Sequence, residues 1–196
     1  MSTANSILRK MARDSIRGKW TLVILTFLFY MVIVFTVGEI PKAGQLILLI
    51  ISGPLSLGIT IFSLSIARGQ ELKFEQIFQG FKHFGKALAT YLLMLLFILL
   101  WSLLFIIPGI IAGLSYSMTF YLLADNPLLR ANEAIEKSKK MMYGYKMKLF
   151  LMQLHFLLLA ILSFLTLGIA LLWVIPYIQV TLAKFYDDIK DKPIVK

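Results

Sequence analysis

The chain has no cysteine among its 196 residues, which excludes structural disulfides and thiolate metal sites. Histidine is almost as scarce: His83 and His155 are the only two. No HExxH, GxSxG or phosphate-binding glycine loop occurs. Charge is missing over long stretches. The 38 residues between Lys86 and Asp125, and the 35 between Lys148 and Lys184, contain no Asp, Glu, Lys or Arg. The polar N-terminus has no short apolar core before a small-residue cleavage site, so the first apolar span is expected to serve as the insertion signal. Together these gaps leave little for catalysis: an enzyme is not expected, and no metal or cofactor is implied.

What the chain has is oil. It is 59% hydrophobic with a mean hydropathy of +0.83, more apolar surface than a soluble domain of this size can bury. Lipid solvates such surface. As helix, either charge-free run would be roughly 50 Å or longer, against a hydrocarbon core of about 30 Å. Each run therefore suits a hairpin. The expectation is an all-α, polytopic transmembrane helical bundle in a single integral membrane domain, with about six spans as three hairpins.

Residues 1–19 read as an amphipathic helix, capped by Ser2, Thr3, Asn5 or Ser6, with Ile7, Leu8, Met11, Ala12 and Ile16 on one face. Trp20 is placed as an interfacial anchor. The first hairpin covers 20–67, with Gly53-Pro54 expected to kink or break its second helix. Residues 68–86 form a second amphipathic helix with Phe74, Ile77, Phe78, Phe81 and Phe84 as its stripe. The second hairpin, 87–124, is expected to turn at Pro108-Gly109. Segment 125–148 reads as a surface helix capped by Asn126 with Pro127 at its first position, stopped by Gly144. The third hairpin, 149–183, turns near Thr166-Leu167-Gly168, and 184–196 is a charged tail.

Nineteen of the twenty Lys and Arg residues then fall in the N-terminal segment, 68–86, 125–148 and the tail, leaving only Lys42 on the other side. By the positive-inside rule both termini are cytoplasmic. Shallow re-entrant hairpins would give the same distribution. A glycine and a lysine precede a span at Gly18-Lys19, Gly85-Lys86 and Gly144-Tyr145-Lys146, which fits either a three-fold pseudo-repeat or the glycine stops and snorkelling lysines common at such junctions.

The candidate membrane-surface residues are Arg9, Lys10, Arg13, Arg17, Lys19, Lys82, Lys86, Lys146 and Lys148. Anionic lipid headgroups explain this basic set better than nucleic acid, because the cations border apolar spans. Gln153, His155 and Gln179 are the candidates for a polar path inside the membrane; the alternative is helix-to-helix hydrogen bonding. Gly109, Gly113 and Ser117 form a small-residue stripe for close helix packing.

Several motifs occur together: Gly53-Pro54-Leu55-Ser56-Leu57-Gly58, Phe78-Gln79-Gly80-Phe81, Pro108-Gly109 followed by Tyr116, Asp125-Asn126-Pro127, Glu133 to Ser138, and Gly144-Tyr145-Lys146. From Gly18 to Asp188 the chain resembles a bacterial family of small multi-span membrane proteins known as domain of unknown function nine-seven-five. More distantly, the Pro-Gly to Asp-Asn-Pro block resembles the membrane region fused to some bacterial glycerophosphodiester phosphodiesterases, whose catalytic domain has no counterpart here. The resemblance implies a bacterial cytoplasmic membrane protein and no established reaction. Two functions are expected in order: a lipid-interacting scaffold or accessory factor, with membrane lipids and a membrane-protein partner in view, and a permease or export accessory for a small or amphiphilic molecule. Oligomeric state is left open.

Overall fold

The computed structural model describes residues 2–192. The last four residues of the expected tail lie outside them. Among the described residues all regular structure is helical. In chain order the helices are α1 (Asn5–Ile16), α2 (Trp20–Gly38), α3 (Gly44–Ala67), a 3₁₀ segment (Phe74–His83), α4 (Phe84–Leu104), α5 (Ile106–Tyr116), α6 (Thr119–Asp125), α7 (Ala131–Met141), α8 (Lys146–Ser163), a 3₁₀ turn (Phe164–Thr166) and α9 (Leu171–Ile189). Five helical stretches are long and apolar enough to cross a membrane by length and composition, ending at Gly38, Ala67, Leu104, Asp125 and Thr166. The chain is a helical membrane protein.

The core gathers where the amphipathic elements meet the roots of the hairpins. Leu8, Ala12 and Ile16, spaced four apart on α1, are buried with Phe27, Phe62, Met118, Met142, Met152, Val180 and Phe185. Ile7 and Met11, which the sequence places on the same face, stay exposed. The apolar face of α1 is thus divided between protein and surroundings. Neither Ser2, Thr3, Asn5 nor Ser6 caps the helix: Ala4 stands at the N-cap without a side-chain bond. Asn5 instead donates to the Lys148 carbonyl at 2.9 Å.

Pro54 lies inside an unbroken α3, contrary to the expected break. Its neighbours explain why the stretch is glycine-rich. A Cβ on Gly58 would collide with the Ile77 carbonyl, one on Gly80 with the Pro54 carbonyl, and one on Gly53 with the Ala87 backbone. The 3₁₀ segment therefore lies backbone to backbone on α3, and two separate sequence motifs prove to be one contact. The 3₁₀ geometry itself follows from a three-residue period. Ile77 and Gly80 face α3 while Phe78, Phe81 and Phe84 fall in one outward column, because i and i+3 eclipse in this helix.

The second hairpin turns at Phe105, whose backbone is extended, and not at Pro108-Gly109. Pro108 sits in the first turn of α5, where its missing N–H leaves no bond unmade. Gly109 packs on Ser102, whereas Gly113 faces open space, so the small-residue stripe is only partly used for packing. A break at Ser117-Met118 separates α5 from α6. Buried Ser138 of α7 bridges it, donating to the Ser115 carbonyl at 2.8 Å and accepting from the Met118 N–H at 3.2 Å.

Asn126 does not cap a helix beginning at Pro127. Its side chain accepts from the Leu128 N–H at 3.2 Å, a local turn, and α7 starts at Ala131 with Glu133 accepting from the Arg130 N–H. Gly144 ends the surface segment at φ 80°, as Gly18 does after α1. Gly85 lies inside α4, so the three expected junctions are not alike. The expected tail begins inside a helix, since α9 continues to Ile189.

Candidate functional site

Residues far apart in sequence meet at one end of the molecule. Arg68, just past α3, donates to Asp125 at 2.6 and 2.8 Å and to Asp187 at 2.7 Å. The Tyr186 hydroxyl donates to Asp125 at 3.0 Å, and Lys190 lies 3.2 Å from Asp187. The carboxylates hold the Arg68 proton more tightly than usual, while burial first and Asp125 second push the Tyr186 phenol up. One residue on, Asp188 is only 8% exposed and accepts from Lys148 at 2.9 Å, Lys192 at 2.6 Å and the Thr3 hydroxyl at 2.6 Å. Burial opposes its ionisation, but these hydrogen bonds outweigh it and hold the carboxyl at about 2. Lys184 donates to the Ala67 carbonyl and Lys86 to that of Pro127. The end of α9 thereby ties together α1, α3, α6 and the start of α8.

This knot consumes acidic charge and leaves cations over. Among the described residues Arg9, Lys10, Arg13, Arg17, Lys19, Lys82, Lys139 and Lys146 make no ion pair with a carboxylate. Lys148 differs: paired with Asp188 and 15% exposed, it is a structural cation.

Each tryptophan stands beside one of the unpaired cations. Arg13, Trp20, Trp173, Val174 and Tyr177 line a groove of about 200 Å³, with the Arg13 guanidinium 5.9 Å from the Tyr177 ring centre. Trp101 lines two adjoining grooves, and Lys139 lines both with it. Hence α1 runs antiparallel to α9, from Thr3 at Asp188 to Arg13 at Tyr177, and α7 runs beside α4. A ladder of aromatic rings, Phe29, Phe74, Phe78, Phe81 and Phe84, follows the 3₁₀ segment at centre spacings of 5.0 to 6.4 Å.

The tips of the hairpins differ in kind. The first carries Glu39 and Lys42. The second exposes Leu103 (87%), Phe105 (72%) and Ile107, and the third exposes Leu165 and Leu167 (93%). The third tip satisfies its own backbone: the N–H groups from Leu167 to Trp173 all have partners, including the Thr166 hydroxyl for Ala170. Such a turn brings no unpaired N–H donor of that stretch into hydrocarbon, where each would be costly.

Gln153, His155 and Gln179 stand apart from the ion-pair knot. Gln153 faces outward, no side chain of the three makes a hydrogen bond among the described residues, and none lines the grooves above. No group of three or more His, Cys, Asp or Glu among the described residues could hold a metal ion. The sequence reading missed the Asp187-Asp188 knot and the pairing of tryptophans with cations; two adjacent acids in a basic tail were the available signal for the first.

A family model described as "Protein of unknown function (DUF975)" matches residues 1–112 and 103–193. Searches of curated proteins and of solved structures gave no match.

Proposed function

Since the chain belongs to the DUF975 family, whose description carries no activity, we propose its role from shape and charge: a non-enzymatic membrane protein that grips one leaflet as a lipid-interacting scaffold or accessory factor. The observation that supports this is the level of the tryptophans. Trp101 and Trp173 stand four residues before the Phe105 turn and five past Gly168, each beside a cation of a basic helix. Tryptophan and cations mark the headgroup level. Neither α1 nor α7 can follow its hairpin into hydrocarbon, because a cation at the bilayer centre costs about 2.5–3.5 kcal/mol or more. The tips therefore reach only about 6–8 Å beyond the tryptophans at 1.5 Å per residue. The second and third hairpins are shallow wedges in a single leaflet.

The first hairpin is different. Its charged turn requires water, and α2, at about 28 Å, can deliver it across. The cationic end, with both termini, faces the cytoplasm by the positive-inside rule, in the bacterial cytoplasmic membrane that the family resemblance implies. Anionic lipid is the expected partner of Arg9, Lys10, Arg13 and Arg17, at about 1 kcal/mol per well-placed cation. The permease alternative asks Gln153, His155 and Gln179 to face one path, and none of them lines the tryptophan grooves.

Because the chain has no cysteine, single cysteines report depth directly. Placed at Lys139, Lys42, Leu104 and Leu165, they should react with a membrane-impermeant maleimide from the cytoplasmic side, from the opposite side, and from neither side for the last two. Labelling of Leu104→Cys or Leu165→Cys from the side opposite Lys139→Cys refutes the shallow wedges.

A further inference from the structure

We propose that the groove between α7 and the second hairpin is a binding site for one acidic phospholipid, a reading that rests on the leaflet-embedded topology above. The groove has two lobes that meet at Lys139. One, of about 650 Å³, runs along Phe97, Leu100, Trp101 and Leu104 of α4. The other, of about 330 Å³, runs along Pro108, Ile111 and Ala112 of α5 and is also lined by Lys146. Trp101, Tyr116 and Lys139 line both. Volumes of this order, apolar walls and a few convergent polar groups characterise small-molecule sites.

Charge selects the occupant. Lys139 and Lys146 make no ion pair among the described residues, and the acid in the same groove, Glu136, is taken by Lys140 at 2.6 Å. Tyr116 and Trp101 line both lobes, and their hydroxyl and indole N–H make no hydrogen bond among the described residues, so they are two further donors for an occupant. A phosphate held by the two lysines meets donors from four elements, α4, α5, α7 and α8. From that point the lobes diverge along apolar walls, as the two acyl chains of a phospholipid do. A free anion would leave both lobes empty, and an uncharged lipid would leave both lysines unpaired.

The test uses the full chain in nanodiscs of phosphatidylcholine with a minor share of phosphatidylglycerol, read by native mass spectrometry. One phosphatidylglycerol should be retained, at least tenfold in preference to phosphatidylcholine. Replacing Lys139 and Lys146 by alanine should lower retention roughly fivefold per lysine, and arginine at both positions should restore it. Ala112→Phe and Leu100→Trp, which fill one lobe each, should expel the lipid with every cation in place; melting in the same discs verifies that these variants fold. Retention indifferent to headgroup, unchanged retention in the folded lysine and lobe-filling variants, or displacement of the lipid by inorganic phosphate alone overturns the site. Cysteine labelling judges the topology independently: a retained lipid with Leu104→Cys labelled from the far side would sink the wedge reading alone.

Discussion

Arg68 grips Asp125 through two parallel hydrogen bonds of 2.6 and 2.8 Å, joining the residue after α3 to the last residue of α6. The same guanidinium also reaches Asp187. Only a planar fork with several fixed donors can serve two carboxylates this way. Arg68→Lys keeps the charge and loses the fork, so it should cost about 1–3 kcal/mol. Arg68→Ala should cost more, because Asp125 and Asp187 then face each other with only Lys190 between them. Melting curves in detergent check the order wild type, lysine, alanine; equal melting of all three would show that the contact contributes nothing.

Asp188 gives the protein an acid limit. Its carboxyl is held at about 2, below the ordinary value of 3.8. A group depressed on folding stabilises the fold above its unfolded pKa and loses that contribution as pH falls through the folded one. Tethering of α1 by Thr3 and Asp188 should therefore be intact at pH 5 and fade between about pH 4 and 2. Proteolysis or hydrogen exchange at residues 5–16 across this range reads it out. Asp188→Asn should abolish the pH dependence and leave α1 loosened throughout, since Lys148 and Lys192 lose their carboxylate.

The glycines of α3 and the 3₁₀ segment are not equivalent to those elsewhere. Gly58→Ala and Gly80→Ala each push a methyl into a backbone carbonyl that cannot move without parting the two segments. Either should cost about 3 kcal/mol or more, the scale of severe core damage. Gly113→Ala meets nothing within 4 Å and should be neutral or stabilising by up to about 1 kcal/mol, as expected for glycine to alanine inside a helix. Expression and melting of the three variants decide it, and an equally poor Gly113→Ala would remove the packing explanation.

What the sequence made legible was local. Hydropathy marked the apolar helices, the left-handed glycine at 144 marked a stop, and the third turn fell near Gly168 because glycine there takes φ 83°. Proline misled twice for one physical reason: it tolerates the first turn of a helix or a well-packed interior, so Pro108 lies past the turn it was expected to make and Pro54 interrupts nothing. Asp125 and Asp187 are brought to one guanidinium from opposite parts of the chain, and no local pattern announces such a meeting. Ser138 likewise reads as one polar residue on a surface helix; its use appears only when the break at Ser117 is laid against it.

The three tips make the membrane reading testable by charge alone. If the third tip ends in hydrocarbon, a lysine there must be dragged into lipid or must pull the turn out to the headgroups. Leu167 is 93% exposed and has a left-handed backbone at φ 52°, so a lysine at that site strains nothing that leucine does not. The neighbouring Leu165, 83% exposed, lies inside the 3₁₀ turn and outside the left-handed region. Leu165→Lys and Leu167→Lys should each lower stability in bilayers by about 1–3 kcal/mol, less than the full midplane cost because a lysine snorkels. Ile40→Lys, beside Glu39 in the charged first turn, should change little. In detergent the three variants should converge, because a micelle lets every tip reach water. Bilayer penalties that are the same at all three positions would place the tips in one environment, and the division between one crossing hairpin and two embedded ones would fall.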